Sequence, residues 1–216
     1  MDPRAPLSAL RQLAPRLLFT VQRFQQVCTQ VDFFARCLTG MTIGLYKPRA
    51  AEYLPYDSEA PRVAALIVEK IVSAGNELTV EHIGSTAVPG CWGKGIIDLV
   101  VMYREGQLQI ARDTLDGLGF QPQCGPEPFP ESRPMRVGSI DYLGRPYQLH
   151  AHVVAVESRE ARDLIRFRDL LRCNDSLLRA YEMEKRAILA RGITLSTDYS
   201  KAKGAFIHRV LAADKF

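Results

Sequence analysis

The apolar positions change period several times along the chain, and each change marks an element. Up to about Gly40 the spacing is helical, with Leu10, Leu13, Leu17 and Leu18, then Val27, Val31 and Phe34. Pro15 splits the first of these runs. After Met41 the character shifts. Thr42 to Tyr46 predicts a short strand, and a Pro-containing connection leads to Leu54-Pro55-Tyr56-Asp57. Ser58 is the N-cap expected for a helix whose apolar face is Val63, Leu66, Ile67 and Ile71, ending near Gly75. Thr79 to Ile83 reads as a strand that runs into a Gly-rich turn. Ile96 to Met102 is almost continuously apolar, as a strand buried on both faces should be. A second helix carries Leu108, Ala111, Leu115 and Leu118 and stops at Gly119, and the five prolines between Gln121 and Pro134 predict a loop. Tyr147 to Val156 predicts a long strand with Gln148, His150 and His152 on one face and Leu149, Ala151 and Val153 on the other. Three helices close the chain, at about Arg159 to Arg172, Asp175 to Arg191 and Asp198 to Ala213. Gly192 fits the end of the second, and Ser196 or Thr197 the cap of the third. The expectation is an α+β fold: a mixed β-sheet flanked by helices, with a C-terminal helical segment.

Composition narrows the class without changing this outline. The 216 residues suffice for one large domain, or for a domain with an appendage. A hydrophobic fraction of 47% and a charged fraction of 24% exclude a disordered or collagen-like chain. A net charge of +4 admits a phosphate-bearing small molecule but falls short of a concentrated basic stripe, which argues against a nucleic-acid partner. Five cysteines, Cys28, Cys37, Cys91, Cys124 and Cys173, form no CxxC pair and favour a reducing, cytoplasmic setting. No apolar run approaches the roughly 18 residues of a membrane span, so no membrane partner is expected. Arg4, Arg11, Arg16, Arg23 and Arg36 face only Asp2 and Asp32 in the first segment. That balance resembles an organellar transit peptide, although arginine-rich amphipathic helices arise in other ways.

One segment outweighs the rest chemically: Glu81-His82-Ile83-Gly84-Ser85-Thr86-Ala87-Val88-Pro89-Gly90, then Lys94, then Ile96-Ile97-Asp98-Leu99-Val100-Val101. Gly84 lets a phosphate approach the backbone with no Cβ in the way. The N–H groups after it, with the Ser85 and Thr86 hydroxyls, supply donors, and Lys94 adds a point charge. Asp98 is the strongest clue, because a carboxylate inside a buried strand is costly unless it is paired or bound to a metal. The layout resembles nucleotidyltransferases of the polymerase-β type, in which an Asp-x-Asp strand aims two carboxylates at Mg²⁺. Plainer readings stand beside each of these. The turn can be a tight turn capped by its own hydroxyls, Asp98 a structural acid paired with an arginine, and His82 a backbone partner at a strand end. Tyr181 with Lys185, and Tyr199 with Lys203, lie on helix faces at i+4, either solvated or aimed at a phosphate cleft. Arg168 and Asp169 read as an ion pair with a neighbouring helix. Cys91 reads as inert, with only Lys94 basic nearby in sequence.

The run from His82 to Gly90, with Lys94 and Ile96-Ile97-Asp98, resembles the GrpB family. Further matches are Leu54-Pro55-Tyr56-Asp57, His150-x-His152-Val153, Phe167-Arg168-Asp169-x-Leu171-Arg172, and two Tyr-x-x-x-Lys helices, the second with Phe206 and Ile207. They span Met41 to about Leu211 in the family's order. The resemblance implies a nucleotidyltransferase-like fold for residues 41–216, of a kind also found fused behind the kinase domain of some dephospho-CoA kinases. Residues 1–40 share no motif with it and are expected to be a helical appendage or the product of an upstream start codon. By resemblance, Asp98, Ser85 and Lys94 are the catalytic candidates. Gly84, Ser85, Thr86, Lys94, Lys185 and Lys203 are the phosphate-binding candidates, and Asp98, His152, His82 and His150 the metal ligands. Two departures matter. Gly95 stands where proline is common, and Val100 stands where a working transferase has its second acid, a feature the family itself often lacks. His152 is expected to approach Asp98 in place of the missing carboxylate, a donor set better suited to Mn²⁺ or Zn²⁺ than to Mg²⁺. The resemblance thus implies either a metal-dependent nucleotidyltransferase or a non-catalytic module that binds a nucleotide or a CoA precursor. Val100 favours the second.

Overall fold

A computed structural model of the chain describes residues 42–48, 50, 52–125 and 127–214. The appendage expected over residues 1–40 lies outside them. Helix α1 (Ala60–Ala74) begins with Pro61 in its first turn, where a missing N–H costs no hydrogen bond. Ser58 is not its cap. Glu59 holds the N-cap position, and the Asp57 carboxylate accepts from the Glu59 N–H at 3.0 Å. Val63, Leu66, Ile67 and Ile71 form the buried stripe, and Gly75 ends the helix. Strands β1 (Thr79–Ile83) and β2 (Ile96–Tyr103) follow, with a single 3-10 turn at Ser85–Ala87 between them. Then come α2 (Leu108–Gly117), β3 (Gln121–Pro122), β4 (Met135–Tyr142) and β5 (Arg145–Ala155). Helices α3 (Arg159–Cys173), α4 (Asp175–Ala190) and α5 (Ser196–Ala213) complete the order.

The five strands form one mixed sheet in the order β1-β2-β5-β4-β3. Strand β2 pairs antiparallel with β1 and parallel with β5; β4 is antiparallel to both β5 and β3. Ile97, Leu99, Val100 and Val101 are fully buried, so β2 needs apolar side chains on both faces and shows no alternation. This is the α+β arrangement expected from the sequence, a mixed sheet flanked by helices, and the three closing helices fall within a few residues of their expected limits.

Further local expectations change, the first at α5, whose N-cap is Leu195 and not Ser196 or Thr197. Thr42 to Tyr46 is not a strand but touches the sheet through an isolated bridge between Gly44 and Ser139. The donors beyond it go to side chains instead: the Tyr46 N–H to Gln121 Oε1 and the Lys47 N–H to Gln148 Oε1, both at 3.0 Å. Strand β4 is hidden from the apolar pattern because one of its buried positions is Arg136, only 2% exposed. Its guanidinium is satisfied by Asp116 and Glu131, at 2.6 to 3.3 Å. Arg168 pairs with a strand rather than a neighbouring helix. It donates to Glu81 Oε2 at 2.6 Å and to the His82 carbonyl at 2.9 Å, and also to Asp169 at 2.8 Å. A single side chain thereby ties α3 to the strand that enters the Gly84 turn.

Candidate functional site

At the end of β1, Gly84 takes φ +72 and ψ −169, a region open essentially to glycine alone. The following strand explains why: a Cβ at this position would lie 2.4 Å from Asp98 Oδ2. Strand register sets Asp98 opposite Ile83 on β1 and opposite His150 on β5. The turn and the carboxylate therefore meet. Across the turn, Ser85 packs against Gly93, where a Cβ would fall 2.3 Å from the Ser85 hydroxyl. Leu54 pins the same loop through two backbone bonds with Gly93, of 2.8 and 3.0 Å. Asp57, three residues on, accepts from Arg145 at 2.8 Å and from the Tyr147 hydroxyl at 2.9 Å. The Leu54-to-Asp57 motif thus fastens the loop carrying Lys94 to the start of β5.

Thr86 serves the turn itself. Its hydroxyl is buried, donates to the Ile96 carbonyl at 3.0 Å and lies 2.9 Å from His82 Nε2. Since the one hydroxyl proton goes to Ile96, His82 Nε2 carries the proton of that second bond. Burial pushes the His82 imidazole down to about 4, with Asp98 opposing and Arg172 and Arg168 adding to the shift. The imidazole is neutral at neutral pH. His82 and Thr86 are thus committed to each other and to the strand end, where they were expected on a metal and on a phosphate.

The partner of Asp98 is His150 rather than His152. His150 Nδ1 lies 3.2 Å from Asp98 Oδ1, and Nε2 lies 3.0 Å from the Tyr46 hydroxyl. His152 is registered opposite Val100, and its ring meets Phe129 edge to face at 6.1 Å. Burial lowers its pKa to about 4, against the pull of Asp98. Burial also works to raise Asp98. The hydrogen bond from His150 and the nearby charges of His150, His152 and Lys203 outweigh it and bring the carboxyl down to about 2. Asp98 is therefore ionised under all ordinary conditions. Tyr46, which no motif in the chain singles out, lies 104 positions from His150, and its segment is held there by the Gly44–Ser139 bridge and by Gln121 and Gln148.

Lys94 and Lys203 form the cationic side. Burial, then the Lys203 charge, lowers Lys94 against the pull of Asp98. Burial lowers Lys203, with Asp98 and Cys91 opposing. Both ammonium groups stand over the Tyr199 ring, at 5.6 and 5.1 Å from its centroid. Tyr199 is 1% exposed, and its hydroxyl has no hydrogen-bond partner among the described residues. A buried donor left unmade costs about 1–3 kcal/mol. The Tyr-x-x-x-Lys spacing pointed to Lys203 but not to this hydroxyl. Lys185 has a different place from the one expected. It is 1% exposed, 3.2 Å from Cys91 Sγ and bonded to the Trp92 carbonyl, so it holds the loop instead of facing a phosphate. Cys91 consequently has a basic neighbour that its sequence surroundings did not reveal. Burial still keeps the thiol raised, with Lys185 working the other way.

A divalent metal, which the transferase pattern implies, finds a poor donor set in these residues. Val100 is fully buried and apolar, and Asp98 is engaged by His150. Among the described residues no three His, Cys, Asp or Glu side chains gather closely enough to hold an ion. Likewise, no described helix is long and apolar enough to cross a membrane.

Known proteins resemble the chain along most of this architecture. A UPF0157 protein of Halalkalibacterium halodurans is 28% identical over 184 residues, covering 81% of this chain and 88% of the relative. A UPF0157 protein of Pseudomonas aeruginosa is 33% identical over 165 residues, covering 74% of this chain and 66% of the relative. Among solved structures, the crystal structure of the conserved protein GrpB from Enterococcus faecalis matches with a TM-score of 0.53 at 18% identity. That match covers 74% of this chain and 99% of the other, and it speaks for the fold alone. The family model described as GrpB protein matches residues 51–213, a stretch that takes in the Gly84 turn, Asp98, the paired histidine strand and both lysine helices. The chain belongs to the GrpB family.

Proposed function

We propose that the chain binds a nucleotide or another phosphate-bearing small molecule at the Gly84-Ser85 turn, Lys94 and Lys203, and that it does so without turning the ligand over. The charge balance around Asp98 carries this reading. Two half-buried ammonium groups repel each other beside Asp98, the carboxylate both of them feel. An incoming phosphate supplies the negative charge that would offset this repulsion. Gly84 provides close backbone approach, and the Ser85 hydroxyl is positioned by Gly93. Asp98 keeps the two cations in place and orients His150. The divalent metal and nucleotidyl transfer suggested by the resemblance have weaker support, because the second acid is replaced by buried Val100.

Thermal shift with nucleoside triphosphates, CoA precursors and inorganic tripolyphosphate, each with EDTA or with Mg²⁺, Mn²⁺ or Zn²⁺, tests the proposal. A ligand at 100 times its Kd should add about 2.7 kcal/mol of stability. We expect a shift that survives EDTA and is lost in Lys94→Ala and Lys203→Ala. Protonated lysines are needed, so affinity should weaken as pH rises through their lowered pKa values, below the usual 10.5. A shift that requires metal and disappears in Asp98→Asn would support the transferase reading instead. No shift with any phosphate ligand would overturn both.

A further inference from the structure

We propose that Trp92 is a stacking platform for an aromatic base, which makes the ligand a nucleotide rather than a simple phosphate ester. This inference rests on the phosphate-binding reading above and adds the group at the other end of the ligand. The Trp92 backbone is held on both polar atoms by α4. Its N–H donates to Glu182 Oε1 at 2.9 Å, and its carbonyl accepts from the buried Lys185 ammonium. Holding a loop residue this firmly fixes where its side chain projects. Trp92 is nevertheless 38% exposed, whereas Cys91, its neighbour in the chain, is 2% exposed. A large aromatic ring is thus presented to solvent on a rigid mount.

The ring does not stand alone. It stacks on Tyr53 with centroids 5.4 Å apart and planes 23° from parallel, and the Arg186 guanidinium lies over Tyr53 at 5.0 Å. Arg186, Tyr53 and Trp92 therefore form a ladder of planar groups, with half-buried Tyr53 in the middle and exposed Arg186 and Trp92 at its two ends. Every nucleobase offers a π-face to such a surface, and stacking on an aromatic side chain is worth about 1–3 kcal/mol per base. The place along the chain is also right. Lys94 is two residues from Trp92, a backbone span of at most ~7 Å. Lys185, which holds Trp92, feels the charge of Lys203. Trp92 and Lys94 thus share one loop, and Lys203 joins them from α5, over the same Tyr199 ring as Lys94.

Trp92 is the only tryptophan of the 216 residues, so intrinsic indole fluorescence reports on this position alone. Full-length protein is titrated with ATP and, separately, with inorganic tripolyphosphate. Indole emission is excited at its red edge, where adenine does not absorb, and calorimetry gives the affinities. The expected result is that both ligands bind and only ATP quenches the emission. Trp92→Leu should weaken ATP about tenfold and leave tripolyphosphate unchanged, while Trp92→Phe, which keeps a ring, retains most of the ATP affinity. Equal binding of both ligands with unmoved fluorescence would overturn the platform and leave the phosphate site standing. Failure of both ligands to bind would remove the phosphate site and the platform together.

Discussion

Gly84 adopts φ +72 and ψ −169 with Asp98 Oδ2 in the space a Cβ would fill, 2.4 Å away. Gly84→Ala should therefore cost about 3 kcal/mol, from backbone strain and the forced displacement of the carboxylate together. In urea denaturation, the double variant with Asp98→Ala should recover the second part only. Loss of less than about 1 kcal/mol in the single variant would show that the turn can relax. The histidines give a second residue-level consequence. His82 and His152 fall from 6.5 to about 4 in the folded protein, so the unfolded chain binds their protons first as pH drops. Stability should decline as pH falls from 6.5 towards 4, by up to about 3 kcal/mol per histidine. Asp98, lowered from 3.8 to about 2, adds its loss only below that window. Denaturation midpoints at several pH values should show the decline, and His152→Phe should about halve it, leaving the His82 part; an unchanged slope would mean that another group titrates. Single residues were readable in the sequence where backbone freedom or an apolar setting singles them out, as at Gly84 and Asp98. Tyr46 and the Cys91–Lys185 contact were not, because each joins positions more than 90 apart with no shared motif.

Elements were legible where their burial follows a period. Helix α1 and strand β2 show this, one with a 3.6-residue stripe and the other with an unbroken apolar run. Strand β4 failed that test because Arg136 is buried by its two carboxylate partners, an arrangement that leaves no apolar signature. The Thr42-to-Tyr46 stretch likewise cannot reveal that the Tyr46 N–H is taken by a glutamine side chain, which is why the expected first strand shrinks to one bridge. The Phe167-to-Arg172 motif gains a meaning at this scale. Arg168 is 9% exposed and links α3 to Glu81 and to the His82 carbonyl at the threshold of the Gly84 turn. Arg168→Met should cost about 2 kcal/mol, since one buried carbonyl loses a charged donor while the half-exposed Glu81 and Asp169 regain water. Arg168→Lys should not restore it, because one ammonium cannot reproduce the planar fork that spans Glu81, His82 and Asp169. Full rescue by lysine in equilibrium denaturation would reduce the link to a simple point charge.

At the scale of the molecule, the buried side chains among the described residues run from Ile43 to Leu211, and the whole sheet lies between Thr79 and Ala155. The family match begins at residue 51. A chain starting at Met41 would keep all of these groups, and a domain of that length buries roughly 70% of its unfolded surface without help. We therefore expect residues 41–216 to fold alone and to melt within a few degrees of the full-length protein. The opposing possibility comes from the sequence: Leu17, Leu18, Phe33 and Phe34 could cover apolar surface of the domain. Solubility is a poor arbiter between the two. Residues 1–40 hold five arginines against two aspartates, so their removal takes the net charge from +4 to +1. A protein that close to neutrality associates more readily whatever its stability. The deciding measurement is the melting temperature of the shortened chain at low concentration, together with its response to tripolyphosphate. A Tm close to that of the full chain, with the same ligand shift, places both fold and binding site in residues 41–216. A fall of more than about 10 °C, of order several kcal/mol for a domain of this size, would make residues 1–40 part of the fold.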